Sequence, residues 1–161
     1  MKKIYIILSF LIMFTGCKVN LSVDNTPKKQ VENYLYNYQS ISNEVIQDLE
    51  LTVEKQNNFT ESQKEKYKEI MKNNFKNLSY TVKDEVVNGD KSTVEVEIIV
   101  SDFYSVMNKN NIDDMLDSME NTKEKVKYTL YFNVEKDENN KWKVHDLDEI
   151  EEEKILGVYP H

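Results

Sequence analysis

The chain has 161 residues and a formal net charge of −8, from 29 acidic and 21 basic residues. That length is ordinary for one domain and is enough to bury a hydrophobic core. The negative charge disfavours nucleic acids and anionic lipid head groups as partners. A single cysteine excludes an intramolecular disulfide and a cysteine-rich zinc site.

The first residues combine a positive start with a short apolar run. Lys2 and Lys3 precede an uncharged segment from Ile4 to Cys17 that reads IYIILSFLIMFTGC. A helix of this length extends about 21 Å at about 1.5 Å per residue, whereas a bilayer core of about 30 Å needs about 20 apolar residues. The segment is therefore predicted to be a secretory signal and not a membrane-spanning helix.

The end of this segment carries a more specific pattern. Phe14-Thr15-Gly16-Cys17 resembles the lipobox of bacterial lipoproteins, in which the signal is cut before the cysteine and the thiol is joined to diacylglycerol. The resemblance implies a signal peptide over residues 1–16, lipid attachment at Cys17, and an anchor and spacer over residues 17–25. Two or more acyl chains hold a protein stably on a membrane surface. We therefore expect a lipid-anchored protein of the cell membrane that faces outside the cytoplasm.

Two amphipathic helices are predicted ahead of the first strand. Thr26 can cap the first helix, with Pro27 at its first position. Thr60 and Gln63 fit a capping box that opens the second. Apolar residues recur at three- and four-residue steps in both. The predicted buried faces are Val31, Tyr34, Leu35, Tyr38, Ile41, Val45 and Leu49 in the first helix, and Tyr67, Ile70, Met71, Phe75 and Leu78 in the second.

From Leu78 onward the apolar period changes to two, which indicates strands. Asn88-Gly89 predicts a tight hairpin between the first two strands. Asn111 can cap a short helix that interrupts the sheet, and two more strands follow, the last around Trp142. In the second strand one face is predicted to carry Val94, Val96, Ile98, Val100, Asp102 and Tyr104.

The order of these elements predicts an α+β fold. Two N-terminal helices would pack on a curved four-stranded antiparallel sheet, with a short helix between strands 2 and 3. The element order, together with TPKKQVENYL, NFKNLSYTVKDEVVNGDKSTVEVEI and KWKVHDL, resembles the nuclear transport factor 2-like (cystatin-like) superfamily. It is similar in particular to small bacterial lipoproteins of unknown function that carry this domain. The resemblance implies a single domain over residues 26–161, shaped as a cone with a pocket between the sheet and the long helix.

The same resemblance supplies candidate site residues. Enzymes of the superfamily place an Asp or His base and a Tyr or Asp donor in the pocket, which makes Asp102 and Tyr104 the catalytic candidates here. A simpler alternative is that Asp102 lies where the strand leaves the core and meets solvent or a backbone amide. The residues expected to line a pocket are Tyr34, Tyr38, Tyr104 and Trp142.

The sequence gives little support for a hydrolase site, a phosphate-binding loop or a metal site. His145 is the only internal histidine, and no nucleophile elbow or glycine-rich phosphate loop is present. The acidic run over residues 146–153 lacks the glycine and the alternating spacing of a calcium loop and is interpreted as solvated surface. We therefore predict no metal and no cofactor.

Three functions stay open on the sequence. The leading hypothesis is a non-catalytic domain that binds a small apolar ligand or an envelope protein at the membrane surface. The first alternative is a pocket-based lyase or isomerase that uses Asp102 and Tyr104. The second alternative is a structural subunit of an envelope complex. Fold alone does not choose among them.

Overall fold

The computed structural model describes residues 25–161 and has an α+β architecture with a four-stranded antiparallel sheet in the order β1-β2-β3-β4. The fold class and sheet predicted from the sequence are thereby confirmed. The predicted signal peptide and Cys17 lie outside the described residues. The strands are β1 Ser79–Asn88, β2 Lys91–Ser101, β3 Lys125–Lys136 and β4 Trp142–Val144. The helices are α1 Pro27–Gln39, α2 Asn43–Glu54, α3 Glu61–Lys76, α4 Tyr104–Met107, α5 Ile112–Asn121 and α6 Glu149–Leu156.

Helix α1 lies across one face of the sheet and contacts all four strands, and α3 lies beside it. The strand face beneath them alternates strictly, with Val94, Val96, Ile98 and Val100 of β2 fully buried. Leu130 and Phe132 continue that face on β3. Each fully buried side chain of this size contributes about 1.5–3 kcal/mol relative to its exposed state, so this layer is the main source of stability. Opposite it the helices bury Val31, Leu35, Ile70, Met71 and Phe75.

The first predicted helix is divided into α1 and α2. Ile41 has a φ of +52°, which a β-branched residue adopts only at a cost. Ser42 then caps α2 through its side chain, which accepts a hydrogen bond from the amide of Val45. The break turns α2 away from the sheet, so that Val45, Leu49 and Val53 are buried while α2 packs on α3. Three helices therefore precede the sheet where the sequence predicts two.

The strand boundaries follow local turn chemistry. Gly89, at φ +63°, closes the β1–β2 hairpin as predicted. A register shift between Val82 and Asp84 places a bulge in β1, and bulges bend and twist a strand. Strand β2 ends at Ser101, and the chain turns at once into α4. The alternating sequence pattern predicts that the strand continues as far as Tyr104, and this prediction is wrong. The amides of Phe103 and Tyr104 leave the β-ladder and donate hydrogen bonds to the Gly157 carbonyl instead.

Helix α6 is not predicted from the sequence, although its caps are present there. Asp148 accepts a hydrogen bond from the amide of Glu151, and Gly157 ends the helix at φ +78°. The helix packs on α3 and β2, and its side chains reach the edge of β3 beyond the end of β4. Glu151 accepts a hydrogen bond from the Tyr131 amide, and Lys154 donates to the Thr129 carbonyl. Side chains of α6 therefore satisfy part of a strand edge that would otherwise be open to pairing.

Candidate functional site

A cleft of about 300 Å³ opens between helices α2, α3 and α6, with the end of α1 at its inner side. We call it the helix cleft. It exists because the break at Ile41 swings α2 outward, and α6 then forms the opposite wall. Its lining residues are Tyr38, Val45, Asp48, Leu49, Leu51, Thr52, Lys55, Tyr67, Phe75, Glu152, Ile155 and Leu156.

The floor of the helix cleft is apolar. Val45, Leu49, Phe75 and Ile155 are all buried in the hydrophobic core. They come from three different helices, so the floor is held by core packing and not by a loop. Leu51 at the rim is 62% exposed. A preformed apolar floor with a few polar groups around it is the usual construction of a small-molecule site.

Tyrosine rings line the inner part of the cleft. Tyr38 packs edge-on against Phe75 with ring centres 5.1 Å apart, and Tyr34 lies behind it at 5.7 Å. Burial, and then the adjacent Tyr34 hydroxyl, raise the pKa of Tyr38 well above its ordinary value. Burial likewise raises the pKa of Tyr67. Both phenols are therefore neutral at physiological pH, and the Tyr38 hydroxyl is already hydrogen-bonded to that of Tyr34.

Two carboxylates, Asp48 and Glu152, also line the cleft. Both side chains are exposed, yet the limited burial of the Glu152 carboxyl raises its pKa, and the negative charges of Asp48 and Asp146 add to the rise. Within residues 25–161 neither Asp48 nor Glu152 forms an ion pair with a lysine or histidine. Lys55 is the one ammonium group among the described lining residues. The cleft thus carries an excess of negative charge beside an apolar floor.

The structure places Asp102 outside the helix cleft. Its side chain is 6% exposed, and its carboxylate accepts hydrogen bonds from the amide and the hydroxyl of Ser105. The Nε2 atom of His161 lies 3.4 Å from the same carboxylate. Asp102 therefore meets a backbone amide just beyond the end of the strand, as in the simpler of the two interpretations. Burial, and then the charge of Asp102, raise the pKa of the nearby Tyr128 to about 12.

Tyr104 does not share a strand face with Asp102, although His161 contacts both side chains. It is 45% exposed on α4, because the strand that was predicted to carry both residues ends at Ser101. The Tyr104 ring packs edge-on against the ring of His161, with the ring centres 6.0 Å apart. The sequence-based pairing of Asp102 with Tyr104 on one strand face is wrong, and Tyr104 lines no part of the helix cleft.

The other three residues predicted to line a pocket lie in different parts of the structure. Tyr38 lines the helix cleft, and Tyr34 supports it from within the core by packing against Phe132. Trp142 lies elsewhere, buried at β4, with its amide donating to Asn25 and the Lys136 ammonium 5.0 Å from its ring centre. It is a core residue at the far end of the sheet and not a lining residue of this cleft.

Sequence reasoning missed Asp48, Glu152 and Tyr67 as site residues. Asp48 sits between core positions 45 and 49, and Glu152 lies three residues before the buried Ile155. Both therefore occupy the edge of an apolar helix face, which is the position from which a charged side chain reaches a cleft. This position at the edge of a helix face can be recognised in the sequence only if α6 is identified as a helix and α2 is identified as separate from α1.

Two other concavities are weaker candidates for a ligand-binding site than the helix cleft. A groove of about 270 Å³ between α3 and the end of α5 is bordered by Asn73, Asn77, Lys123 and Lys125. A broad depression of about 640 Å³ on the outer sheet face includes Thr93, Asn133 and His145. In residues 25–161 no three His, Cys, Asp or Glu side chains converge as a metal site. No helix of that region has the length and apolarity to cross a bilayer.

No protein-family model matches this chain, no curated protein matches it significantly, and no solved structure matches its fold significantly.

Proposed function

We propose that this protein is a lipid-anchored, extracytoplasmic binding protein whose domain holds a small ligand in the helix cleft. Two observations support the proposal. Phe14-Thr15-Gly16-Cys17 follows a short apolar segment with a positive start, and the described domain presents an aromatic and apolar cleft built from core positions. The cleft is the observation that carries the binding role.

We further infer that the domain is a nuclear transport factor 2-like cone. The order of helices followed by an antiparallel sheet favours this fold, as does α1 lying across the sheet. The bulge in β1 provides a means of curving the sheet. The helix cleft is lined chiefly by helices, so the proposed binding surface differs from the pocket between sheet and helix that the resemblance implies.

A non-catalytic role is favoured over the lyase or isomerase alternative. A general base and a proton donor must both reach one substrate. Asp102 is engaged by Ser105, Tyr104 is on an exposed helix, and neither residue lines the helix cleft. The two residues proposed for that chemistry therefore lie outside the proposed binding cleft.

The decisive experiment is native mass spectrometry of the folded domain purified from its own cell envelope. The protein is released from the anchor by proteolysis near Asn20 and is sprayed from a volatile neutral buffer. A bound species of a few hundred daltons, lost on denaturation, is expected. A Leu49→Trp variant, which fills the cleft floor, serves as the comparison and should carry less of that species. A bare mass for the unmodified protein would refute small-ligand binding and direct attention to an envelope protein partner.

A further inference from the structure

We propose that the helix cleft selects a small organic cation, with a protonated amine on an apolar or aromatic body. This inference rests on the proposed binding function and adds the chemical class of the ligand. It follows from the charge, the aromatic lining and the size of the cleft.

The charge of the cleft favours a cation. Asp48 on α2 and Glu152 on α6 face the same space from opposite walls. On the neighbouring helix α3, by contrast, lysines pair with the glutamates, as Lys64 does with Glu61 and Lys72 with Glu69. In the described part of the chain, Asp48 and Glu152 lack such partners. An ammonium group between them would supply the missing charge, whereas an anionic ligand would be repelled.

The groups around the two carboxylates act in the same direction. Asp146, Asp148 and Glu149 lie close enough to Glu152 to raise its pKa electrostatically, after the larger effect of partial burial. Lys55 offsets only part of this negative field. A bound cation would lower the pKa of Glu152, because favourable interaction between two charges stabilises the ionised form of each. The cation and the ionised carboxylate therefore promote one another.

The aromatic and apolar lining suits the rest of such a ligand. Tyr38 and Tyr67 present rings that attract cations through the negative faces of their π systems. Val45, Leu49 and Ile155 offer apolar surface to a hydrocarbon body. The volume of about 300 Å³ is at the small end of ligand pockets. A compact aryl-alkyl amine fits this combination of lining and size.

The test uses three probes that share one body and differ in charge: 2-phenylethylamine, 2-phenylethanol and 3-phenylpropionate. Each is titrated into the anchor-free folded domain at neutral pH, and binding is followed by amide chemical shifts. The amine should bind about tenfold more tightly than the alcohol, with shifts confined to α2, α6 and the α3 residues around Tyr67. The propionate should give no shifts there. Raising the salt from about 0.05 M to about 0.15 M should weaken the amine alone.

Variants of the charged residues test whether the preference for the amine arises in the helix cleft. Asp48→Asn combined with Glu152→Gln should reduce amine affinity about tenfold or more and leave alcohol affinity unchanged. Lys55→Gln should tighten amine binding. Glu50→Gln is the matched control, since Glu50 is exposed on the same helix but does not line the cleft. Circular dichroism of each variant checks that the fold is retained.

The outcomes separate the two proposals. Equal affinity for amine and alcohol, or no loss in the double variant, would overturn cation selection while leaving the cleft as a binding site. Failure of all three probes to bind would also overturn it, and the native mass spectrum would then decide the binding function independently. Amine binding that is lost equally in Glu50→Gln would reveal long-range attraction to an acidic protein and would likewise overturn the assignment to the cleft.

Discussion

The backbone of Gly157 lies so close to that of Ser101 that a Cβ atom on Gly157 would be 2.1 Å from the Ser101 carbonyl oxygen. The Gly157 carbonyl also accepts hydrogen bonds from the amides of Phe103 and Tyr104, at 2.9 and 3.1 Å. The end of α6 is thereby joined to the end of β2. Since α6 forms one wall of the helix cleft, this junction holds that wall in place.

Replacing Gly157 by alanine should destabilise the domain by about 2–4 kcal/mol. The φ of +78° alone costs an L-residue about 1–2 kcal/mol, and the backbone clash with Ser101 adds to it because neither group can swing aside. Gly89→Ala is the matched control, since Gly89 has φ +63° and open space around its missing Cβ. It should lose only the conformational part, about 1–2 kcal/mol. Urea unfolding measures both, and equal losses would show that the contact with Ser101 is unimportant.

Asn74 on α3 forms hydrogen bonds to the same junction between α6 and β2. Its buried side chain accepts a hydrogen bond from the Ser101 amide at 3.0 Å and donates towards the carbonyls of Ile155 and Leu156. Asn74→Ala would leave these backbone groups without a partner, and each such buried group costs about 1–3 kcal/mol. We expect a loss of at least that size in urea unfolding. Asn73→Ala, on the exposed side of the same helix, should change stability by less than about 0.5 kcal/mol.

The fold could be predicted where local signals and burial agree. Thr60 and Gln63 form the expected capping box, Gly89 turns the hairpin, and residues 94–100 alternate as a half-buried strand. In each case the residues next to each other in sequence determine the structure. The helix faces of α1 and α3 follow for the same reason, because their apolar spacing matches one helical period.

The rest depends on contacts distant in sequence. Ile41 shows no turn signal, and its positive φ is maintained by packing that only the folded chain provides. The acidic composition of residues 149–153 masked α6, whose buried Ile155 and edge contacts to β3 stabilise it. The helix cleft depends on both, so its carboxylates could not be recognised from the sequence alone. Tyr104 was misplaced because alternation continues beyond the last ladder residue.

The anchor proposal makes a prediction outside the described residues. Cys17→Ser removes the thiol that would carry the lipid, so the protein should move from the membrane fraction to the medium or remain as uncleaved precursor. Lys18→Ser is the control, because it changes the adjacent residue and leaves Phe14-Thr15-Gly16-Cys17 intact. The mass of the N-terminal peptide from membranes should show a lipid-modified Cys17. An unmodified Cys17, or an N-terminus at another residue, would contradict the anchor.

Glu152→Gln should stabilise the domain in a pH-dependent manner. The pKa of Glu152 is higher in the folded than in the unfolded chain, first through partial burial and then through Asp48 and Asp146. Below the unfolded value of about 4.5 both states are protonated, and the charge costs nothing. As the pH rises from there through the folded pKa, the unfolded chain releases its proton first, so ionisation of Glu152 lowers the free energy of unfolding until both states are ionised.

The Glu152→Gln variant cannot ionise at this position, so its free energy of unfolding should not fall for this reason as the pH rises. Its melting temperature should therefore equal that of the unmodified protein near pH 4 and exceed it at neutral pH, with the difference developing between those limits. Glu138→Gln, an exposed residue of the β3–β4 turn, is the charge-matched control and should show no such divergence. An equal shift in both variants would indicate relief of the overall negative charge instead of a local effect in the helix cleft. A stabilisation confined to Glu152→Gln would mean that an unpaired carboxylate is retained there at a cost in stability, as expected of a group that binds a ligand.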